Sequence, residues 1–255
     1  MRIDWTIDQR DTDRVRDLLG SAAESRFVLS RIKDNVAPEC PPAFGRDEFW
    51  RVMLGCLLTT QQRSGPDGSV ARFLGRKPFC PALDKCIVGT VEAEVVNELT
   101  NFGGIRRGKT IAAQVKANLV WLQTGGWVKI ENQFARLLAQ RSRPPCIADT
   151  TEEKRAADLL RGNLAGFGPK QSRNLWQWLG LTRYEIPLDS RIARYMNDMF
   201  PFKISAAGLA DPNYYEFVMQ GIHQLCAHTE VLPCVLDAAI FASYDRDWTE
   251  EELEY

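Results

Sequence analysis

A lysine and an aspartate nineteen residues apart are the side chains of this sequence best suited to chemistry. Lys170 ends the glycine-punctuated stretch Leu164-Ala165-Gly166-Phe167-Gly168-Pro169-Lys170, and Asp189 precedes the next helical pattern. The helix dipole disfavours a cation in a first helical turn, and partial burial would increase the fraction of neutral amine. A neutral amine can attack an electrophilic carbon and form a Schiff base, and a carboxylate can stabilise developing positive charge.

Each of these features also has an ordinary structural explanation. A G-x-G turn fits a corner between two helices, and Lys170 could reach solvent or hold a phosphate. Asp189 could simply cap its helix, although one carboxylate oxygen can cap while the other faces a cleft. Gly166 and Gly168 permit close approach of another chain, and a helix that begins at Pro169 offers free amides to a phosphate.

The elements that must position these residues are predicted to be helices throughout. Apolar residues recur at helical spacing, which predicts an all-α protein of two helical lobes around an active-site cleft. The predicted helices are Thr12–Ala22, Glu24–Asn35, Arg46–Gln61, Val91–Asn101, Arg107–Gln123, Asn132–Gln140, Thr151–Arg161, Lys170–Leu179, Ser190–Met199, Tyr214–Cys226 and Pro233–Ser243. The segment Trp127-Val128-Lys129-Ile130 alone resembles a strand.

Two proline-containing breaks predict the division of the chain. They lie at residues 37–42 and 184–187, just ahead of Asp189. We therefore expect one lobe from residues 43–185 and a second formed by residues 1–42 and 186–255. Lys170 and Asp189 would then face each other across the cleft between the lobes.

Charge is unevenly distributed along the 255 residues, although the net charge is only −1. Residues 101–183 carry 14 Lys and Arg against 5 Asp and Glu, whereas the rest carries 18 against 28. Such polarity can steer a polyanion, or it can be no more than an uneven solvated surface. The chain lacks a long apolar run and an apolar N-terminal core, so we expect an intracellular protein without a membrane partner.

Cysteine and histidine spacing predicts neither a disulfide framework nor a metal site. The seven cysteines are scattered and never form a C-x-x-C pair. His223, Cys226 and His228 lack a clear fourth ligand, so packing or surface roles are favoured over zinc.

Taken together, the stretch Leu164 to Lys170 and Asp189 resemble the signature of the helix-hairpin-helix (HhH-GPD) DNA glycosylase superfamily. That superfamily includes endonuclease III and the 8-oxoguanine glycosylases. The resemblance implies that Lys170 is the Schiff-base nucleophile of a bifunctional glycosylase and AP lyase, and that Asp189 is its essential carboxylate. Its partner would be double-stranded DNA that contains a damaged base, bound by a monomer.

Three further segments extend the resemblance. Leu57-Leu58-Thr59-Thr60-Gln61 makes Gln61 the candidate wedge that fills the gap left by an extruded nucleotide. The stretch from Asn101 to Lys109 would contact phosphates through Arg106, Arg107 and Lys109, together with the hairpin at Gly166 and Gly168. The stretch from Leu232 to Phe241 resembles the closing helix of 8-oxoguanine glycosylases, with Phe241 replacing the usual tryptophan. Candidates for the base pocket are Trp127, Asp237 and Phe241, with Trp176 and Trp178 as further aromatic residues.

Departures from the superfamily pattern narrow the expectation. After Asp189 only Cys226 and Cys234 occur, so we expect no iron–sulfur cluster. The resemblance implies no other cofactor, except a monovalent cation that hairpin carbonyls could hold. The length favours the compact 8-oxoguanine glycosylase type without an N-terminal β-domain, and it leaves the acidic tail from Asp245 unassigned.

Two other functions are compatible with the same residues. A monofunctional glycosylase for other modified bases would release the base without a covalent adduct, with Lys170 binding only phosphate. A non-catalytic DNA-binding module would use the hairpin as a phosphate clamp and would leave the pairing of Lys170 with Asp189 unexplained.

Overall fold

The computed structural model describes residues 4–37, 39, 41–62, 65–145, 150–200 and 203–253. Within these ranges the chain is helical and contains no β-strand, which confirms the predicted all-α class. The α-helices are α1 Gln9–Ala22, α2 Arg26–Arg31, α3 Arg46–Leu58, α4 Ser69–Leu74, α5 Leu83–Val88, α6 Val91–Phe102, α7 Gly108–Trp121, α8 Trp127–Arg141, α9 Thr151–Asn163, α10 Pro169–Trp178, α11 Ser190–Met199, α12 Pro212–Thr229, α13 Pro233–Ala242 and α14 Glu250–Leu253. A π-helical segment, Ile32–Val36, and a 3₁₀ turn, Gly208–Ala210, complete the helical elements, and α7 and α8 are joined by a kink at Leu122–Gly126, where Thr124 and Gly125 are not helical.

Helix starts follow local capping rules. Asp8 and Asp11 form a reciprocal capping box at α1, and the Asp211 side chain accepts from the Tyr214 amide at α12. Proline occupies the first position of α10 and α13, where the missing N–H costs no helical hydrogen bond. The starts of α3, α6 and α9 have no side-chain cap, and the sequence predicts each of them to the residue from the pattern of apolar residues.

The predicted strand at residues 127–130 is wrong, because these residues form the first turn of α8. Trp127, Ile130, Phe134 and Leu137 are buried at helical spacing, whereas Val128 is exposed. The aromatic and β-branched residues of this stretch favour a strand only weakly, and burial of one helical face outweighs that preference.

Other helix boundaries differ for identifiable reasons. The predicted helix 24–35 is divided into α2 and the π-helical segment 32–36, and α3 ends at Leu58, before Gln61. Helices α4, α5 and α14 have no more than six residues each, which is too short for a clear periodic signal.

Most buried apolar residues form two large clusters. One contains only residues from Phe49 to Leu181, and the other contains residues up to Val15 and from Ile186 onward. A small third cluster joins α1 and α2 to α13. We call residues 43–185 the hairpin lobe and residues 1–42 with 186–255 the terminal lobe, the division that the sequence predicts.

Helix α10, which carries Lys170, packs in the hairpin lobe against α9 and α3. In the terminal lobe, α13 packs against α1, α2 and α11. Lys170 at the start of α10 and Asp189 at the start of α11 are therefore both held by packed helices.

None of the helices in the described ranges is by itself both long and apolar enough to cross a membrane. The helices α12 and α13 together pass such a test of length and composition, with a bend of 98° between them.

Candidate active site

The hairpin before Lys170 is fixed from the side by an asparagine of α7. The buried Asn118 side chain accepts a hydrogen bond from the Ala165 amide (N···Oδ1, 2.6 Å) and donates one to the Ala165 carbonyl (Nδ2···O, 3.2 Å). Leu164 and Phe167 are buried in the core of the hairpin lobe. The loop is therefore anchored on a polar and an apolar side, which preorganises its exposed glycines.

Gly166 is required by its backbone conformation and by its close packing. Its φ is +83°, and a Cβ atom there would lie 2.6 Å from Leu57 Cδ2 and 2.7 Å from Gln114 Cδ. Gly168 then occupies the N-cap of α10, with Pro169 as the first helical residue. Because the first amides of a helix have no acceptor one turn earlier, this end of α10 can bind an anion.

The structure brings Lys170 and Asp189 to the same cleft. One cavity, of ≈ 390 Å³, extends inward between the lobes, and we call it the inner cavity. A second, of ≈ 880 Å³, runs along the hairpin surface, and we call it the groove. Lys170, Asp189 and Arg191 line both, so the amine and the carboxylate stand where the two cavities meet.

Asp189 uses its two carboxylate oxygens differently. Oδ1 accepts from the amides of Arg191 at 2.7 Å and Ile192 at 3.2 Å, which caps α11. Oδ2 lies outside the cap and is 3.3 Å from the Arg191 guanidinium (NH1). The cap orients the carboxylate, and the second oxygen is left at the cleft beside one cation.

The segment that leads to Asp189 is held by a buried glutamate of α9. Glu153 accepts hydrogen bonds from the amides of Arg183 (2.9 Å), Tyr184 (2.9 Å) and Glu185 (2.7 Å). Burial raises the pKa of Glu153 to about 7, and these amide donors oppose that shift. Because one side chain binds three consecutive amides, the segment has a defined path towards α11.

An ion pair ties the same segment to the helix of Lys170. Arg173 lies on α10, one turn after Lys170, and its Nε donates to Glu185 Oε2 at 2.6 Å in the interior. The Arg173 guanidinium also stacks on the Tyr215 ring at 4.4 Å. Since Tyr215 donates its hydroxyl to the Ile186 carbonyl (2.7 Å), the lysine helix and the approach to Asp189 share one network.

Aromatic rings from three distant parts of the chain form one wall of the inner cavity. Phe27 of α2 stacks on Phe241 of α13 with centroids 4.6 Å apart, and on Trp248 at 5.8 Å. The Arg191 guanidinium covers the other part of Phe241, 4.1 Å from the ring centroid. This wall offers flat apolar surface next to Lys170 and Asp189, as a site for a planar base requires.

The acidic tail, which the sequence left unassigned, folds against this wall. Asp247 accepts from the Ser25 hydroxyl (2.8 Å) and the Arg26 amide (3.0 Å), at the start of α2. Asp245 Oδ2 lies 3.2 Å from the Arg191 guanidinium. These contacts place Trp248 against Phe27, so the tail is part of the cavity.

Polar groups occupy another side of the inner cavity. Asp237, Gln177, Arg31 and Asn35 line it, and Asn35 donates to the Gln177 carbonyl at 2.9 Å. Burial raises the pKa of Asp237 to about 7; Arg31 opposes this shift and Asp189 adds to it. Near pH 7 this carboxyl is therefore divided between its neutral and charged forms.

The groove carries the candidate wedge and one of the basic residues. Gln61 follows α3 with φ +59° and is exposed, and Arg106 lies opposite on the loop between α6 and α7. Gln62 accepts from the Arg106 amide at 2.6 Å, which connects these two loops. Gly166 and Gly168 line the same groove, so four predicted contact residues share one surface.

Arg107 and Lys109 are exposed on the same basic loop. Arg107 is the N-cap of α7 with φ +62°, and Lys109 stands in the first turn of that helix. Gly103 and Gly104 also have positive φ, so the loop depends on glycine to reach the groove. Of the three predicted basic contacts, Arg106 lines the groove, whereas Arg107 and Lys109 are exposed beside it in sequence and are not among its lining residues.

The aromatic candidates divide between the core and the cavity. Trp127 does not line the inner cavity with Asp237 and Phe241. It is buried in the hairpin lobe, where its ring centroid lies 5.6 Å from that of Phe49. Trp176 is buried as well and donates to the Ala156 carbonyl at 2.9 Å, whereas Trp178 lines the inner cavity. The structure thus brings two of the three predicted pocket residues together with Lys170.

Within the described ranges, no three His, Cys, Asp or Glu side chains are grouped so that they could hold a metal. The five described cysteines, Cys56, Cys80, Cys86, Cys226 and Cys234, are free thiols; Cys40 and Cys146 lie outside the described residues. The Leu164 and Ala165 carbonyls each accept one hydrogen bond, whereas the Gly168 carbonyl accepts two, from the amide and the hydroxyl of Ser172. A carbonyl oxygen has two lone pairs, so Leu164 and Ala165 each keep one for a cation, and the monovalent cation at the hairpin stays a prediction.

Sequence reasoning missed several residues that build the site. Phe27, Trp248, Gln177, Arg173 and Arg191 carry no motif, and each resembles an ordinary core or surface residue in the sequence. Arg191 could have been found, because it stands two residues after Asp189. The other four join the site only through tertiary contacts, which leave no local signal.

No protein-family model matches the chain, and no curated protein matches it significantly. Solved structures do match it over most of its length. The 8-oxoguanine DNA glycosylase of Thermotoga maritima has 15% identity and a TM-score of 0.61, over 92% of this chain and 96% of that one. The 8-oxoguanine DNA glycosylase of Methanocaldococcus jannaschii has 16% identity and a TM-score of 0.59, over 91% and 92%.

A third similar structure contains DNA. It is the Methanocaldococcus jannaschii 8-oxoguanine glycosylase/lyase in complex with a 15mer DNA that contains 8-oxoguanine, with 15% identity and a TM-score of 0.58 over 91% of this chain and 95% of that one. At these identities the likeness establishes the fold. The chain has the helical fold of compact 8-oxoguanine DNA glycosylases, as the resemblance of its hairpin implies.

Proposed function

We propose that this protein is a DNA glycosylase with AP lyase activity that excises a damaged base. We propose 8-oxoguanine as its preferred substrate. One observation carries the proposal: Lys170 and Asp189 stand together at the junction of a base-sized inner cavity and a groove lined by the hairpin glycines. The fold shared with two 8-oxoguanine glycosylases supports the same reaction class.

The groove would hold the DNA backbone. The start of α10 and the exposed Arg106, Arg107 and Lys109 supply amides and cations for phosphates. A base inside a duplex is out of reach, so the damaged nucleotide would turn out of the stack into the inner cavity. Gln61, exposed on the groove, would fill the gap that it leaves.

Lys170 would then carry the covalent step. Its neutral Nζ attacks C1′ of the extruded nucleotide, the C1′–Nζ bond forms, and the glycosidic bond breaks with its electron pair leaving on the base. Opening of the sugar ring gives an imine between Lys170 and C1′. Loss of a C2′ proton then expels the 3′ phosphate, which cleaves the strand.

Asp189 would stabilise the positive charge that develops on the sugar as the base departs. Its Oδ1 is held by the α11 cap, so Oδ2 is the oxygen that faces the reaction. Arg191, 3.3 Å from Oδ2, forms an ion pair with the carboxylate and limits its movement. The ion pair with Asp245 in turn restricts Arg191.

Trapping with sodium borohydride tests this proposal. The protein is incubated with duplexes that contain 8-oxoguanine, uracil, an oxidised pyrimidine or an abasic site, beside its Lys170→Gln, Asp189→Asn and Lys129→Gln variants. Lys129 is exposed on α8 and provides a matched loss of one positive charge. We expect a covalent adduct with the wild type and Lys129→Gln, none with Lys170→Gln, and the strongest adduct with 8-oxoguanine.

Other outcomes would identify the alternatives. Release of base without an adduct would indicate a monofunctional glycosylase in which Lys170 binds phosphate. Binding of all duplexes without release or strand cleavage would indicate a non-catalytic hairpin module. We also expect a monomer on DNA, which light scattering of the complex would measure.

A further inference from the structure

Gln177 is a buried polar residue of the inner cavity that the proposed chemistry does not use. It lies on α10, two turns after Lys170, and its side chain is 1% exposed. Its backbone carbonyl accepts from Asn35 Nδ2 (2.9 Å) and from the Arg31 guanidinium (3.2 Å), so its main chain is fixed. The side chain lines the inner cavity together with Asp237.

The carboxamide of Gln177 has no internal hydrogen bond. Both Nε2 and Oε1 are buried, and neither has a hydrogen-bond partner among the described residues. The amide is close enough to lower the pKa of Asp237, but it does not reach hydrogen-bond geometry with that carboxyl. Buried polar side-chain atoms are nearly always paired, so a donor and an acceptor left together in a cavity indicate a ligand that pairs with both.

A neighbouring hydrogen-bond donor narrows the chemical class of ligand that fits here. Arg31 Nε is also buried without a hydrogen-bond partner. The same guanidinium donates a hydrogen bond from NH1 to the Gln177 backbone carbonyl. Together the two side chains offer two kinds of N–H donor and one carbonyl acceptor. This set matches a ring that carries a carbonyl oxygen beside a ring N–H, and it favours bases with exocyclic oxygens.

We propose that the Gln177 carboxamide reads the –NH–C(=O)– edge of the extruded base, accepting from the ring N–H and donating to the adjacent carbonyl. For 8-oxoguanine this edge is N1–H with the C6 carbonyl. The inference rests on the proposed glycosylase function and adds a specificity-determining residue to it. Lys170 and Asp189 act on the sugar, whereas Gln177 selects the base.

Single-turnover rates on two duplexes separate base reading from the sugar chemistry. Excision is measured on an 8-oxoguanine duplex, and strand cleavage on a duplex with a preformed abasic site, which has no base to read. The variants are Gln177→Leu, which removes both hydrogen bonds, and Gln177→Glu, whose charged form replaces the donor with an acceptor. Gln220→Leu, on the exposed face of α12, is the matched control.

We expect Gln177→Leu to lower the ratio of excision to abasic cleavage at least tenfold, and Gln177→Glu to lower it further, because a carboxylate repels the C6 carbonyl. Gln220→Leu should leave the ratio unchanged. A ratio within threefold of the wild type for both Gln177 variants would overturn the inference. Failure of the wild type on both duplexes would instead refute the proposed function.

A substrate methylated at the proposed contact distinguishes base reading from a purely structural role of Gln177. Methylation of N1 of 8-oxoguanine removes the ring N–H that the amide is proposed to bind. The wild type should excise this base at least tenfold more slowly than 8-oxoguanine, whereas Gln177→Leu should treat the two alike. Equal excision of both bases by the wild type would refute the reading of this edge.

Discussion

Lys170 and Asp189 enter the cleft at the starts of two helices, α10 and α11, whereas the wall of the inner cavity is assembled from Phe27, Phe241 and Trp248. Proline at the first position and an aspartate cap set the two helix starts by local rules. The wall depends on both ends of the chain meeting. The starts of the two helices are thus set by local structure, whereas the wall of the cavity depends on tertiary structure.

This difference has a consequence for function. Helix starts that adjacent residues set can persist in chains of low identity, whereas the relative position of the two helices depends on the Arg173–Glu185 ion pair. A wall contributed by both termini can change with each of them, which alters base selection without touching the chemistry. The comparison predicts that variants in the two regions will separate cleavage from base selection.

The largest effect is expected at Asp189, where two substitutions separate charge from capping. Asparagine retains an oxygen that can cap α11, whereas alanine removes both the cap and the charge. We expect Asp189→Asn to lower the rate of 8-oxoguanine excision by about 10²–10³-fold, the usual size for loss of one stabilising group. Its melting temperature should stay near that of the wild type.

Asp189→Ala is the companion variant. It should lose at least as much activity and also about 1 kcal/mol of stability, because the cap disappears. An Asp189→Asn protein that excises 8-oxoguanine at the wild-type rate would show that the cap, and not the charge, is the function of this residue. The local rule would then explain its position without any chemistry.

Next in size is the effect expected at the network that joins the two helix starts. Arg173→Met would leave Glu185 as a buried, uncompensated charge, since the two side chains are 10% and 0% exposed. Breaking one partner of such a pair typically costs about 3–5 kcal/mol, measured here by denaturant unfolding. Arg161→Met, which breaks an exposed pair with Asp158, is the control and should cost less than about 1 kcal/mol.

A double variant tests the reason for that loss. Arg173→Met with Glu185→Leu removes both charges and should recover most of the stability, although the relative position of Lys170 and Asp189 would no longer be fixed. Cleavage of an abasic duplex should therefore remain below the wild-type rate. Full activity in the double variant would contradict a positioning role for this ion pair.

The difference between local structure and tertiary contacts also determines which features could be predicted from the sequence. The hairpin, the start of α10 at Pro169 and the cap at Asp189 follow from residues close in sequence, and the structure has each of them. Stacking of Phe27 on Trp248 could not be predicted, because no local pattern joins the two ends of the chain. The strand predicted at Trp127 was wrong for the same reason, since packing outweighed a weak local preference.

A smaller effect is expected at Trp248, where the tail meets the cavity. Trp248→Ala would remove the outer ring of the aromatic wall, 5.8 Å from Phe27, and loosen the hold on a planar base. We expect excision of 8-oxoguanine to fall about tenfold, as loss of base stacking costs about 1–3 kcal/mol. Trp121→Ala, a partly buried tryptophan of the hairpin lobe, is the control for general destabilisation.

The rate at an abasic duplex decides how this result is interpreted. If Trp248→Ala lowers excision and abasic cleavage equally, the tail supports the whole cleft, and the two regions are not separable. If only excision falls, the wall serves the base. Both rates are measured at a temperature well below the melting temperature of each variant.

A separate effect is expected in the pH dependence of stability, to which the buried carboxyl of the cavity contributes. Burial raises the pKa of Asp237 from 3.8 to about 7. The charge of Asp189 adds to this rise, and the charges of Arg31 and Lys170 oppose it. The folded protein then binds a proton that the unfolded chain has lost, so the free energy of unfolding should fall as pH rises from about 4 to 7. Asp237→Asn should flatten this fall, as measured by denaturant unfolding at several pH values.

Part of the slope should remain in that variant, because burial also raises the pKa of Glu153 to about 7. Asp17→Asn, an exposed carboxylate of α1, should leave the slope unchanged. An unaltered slope in Asp237→Asn would mean that Asp237 stays ionised in the folded protein. In that case the polar side of the inner cavity would present a fixed negative charge to the base, opposite in character to the aromatic wall.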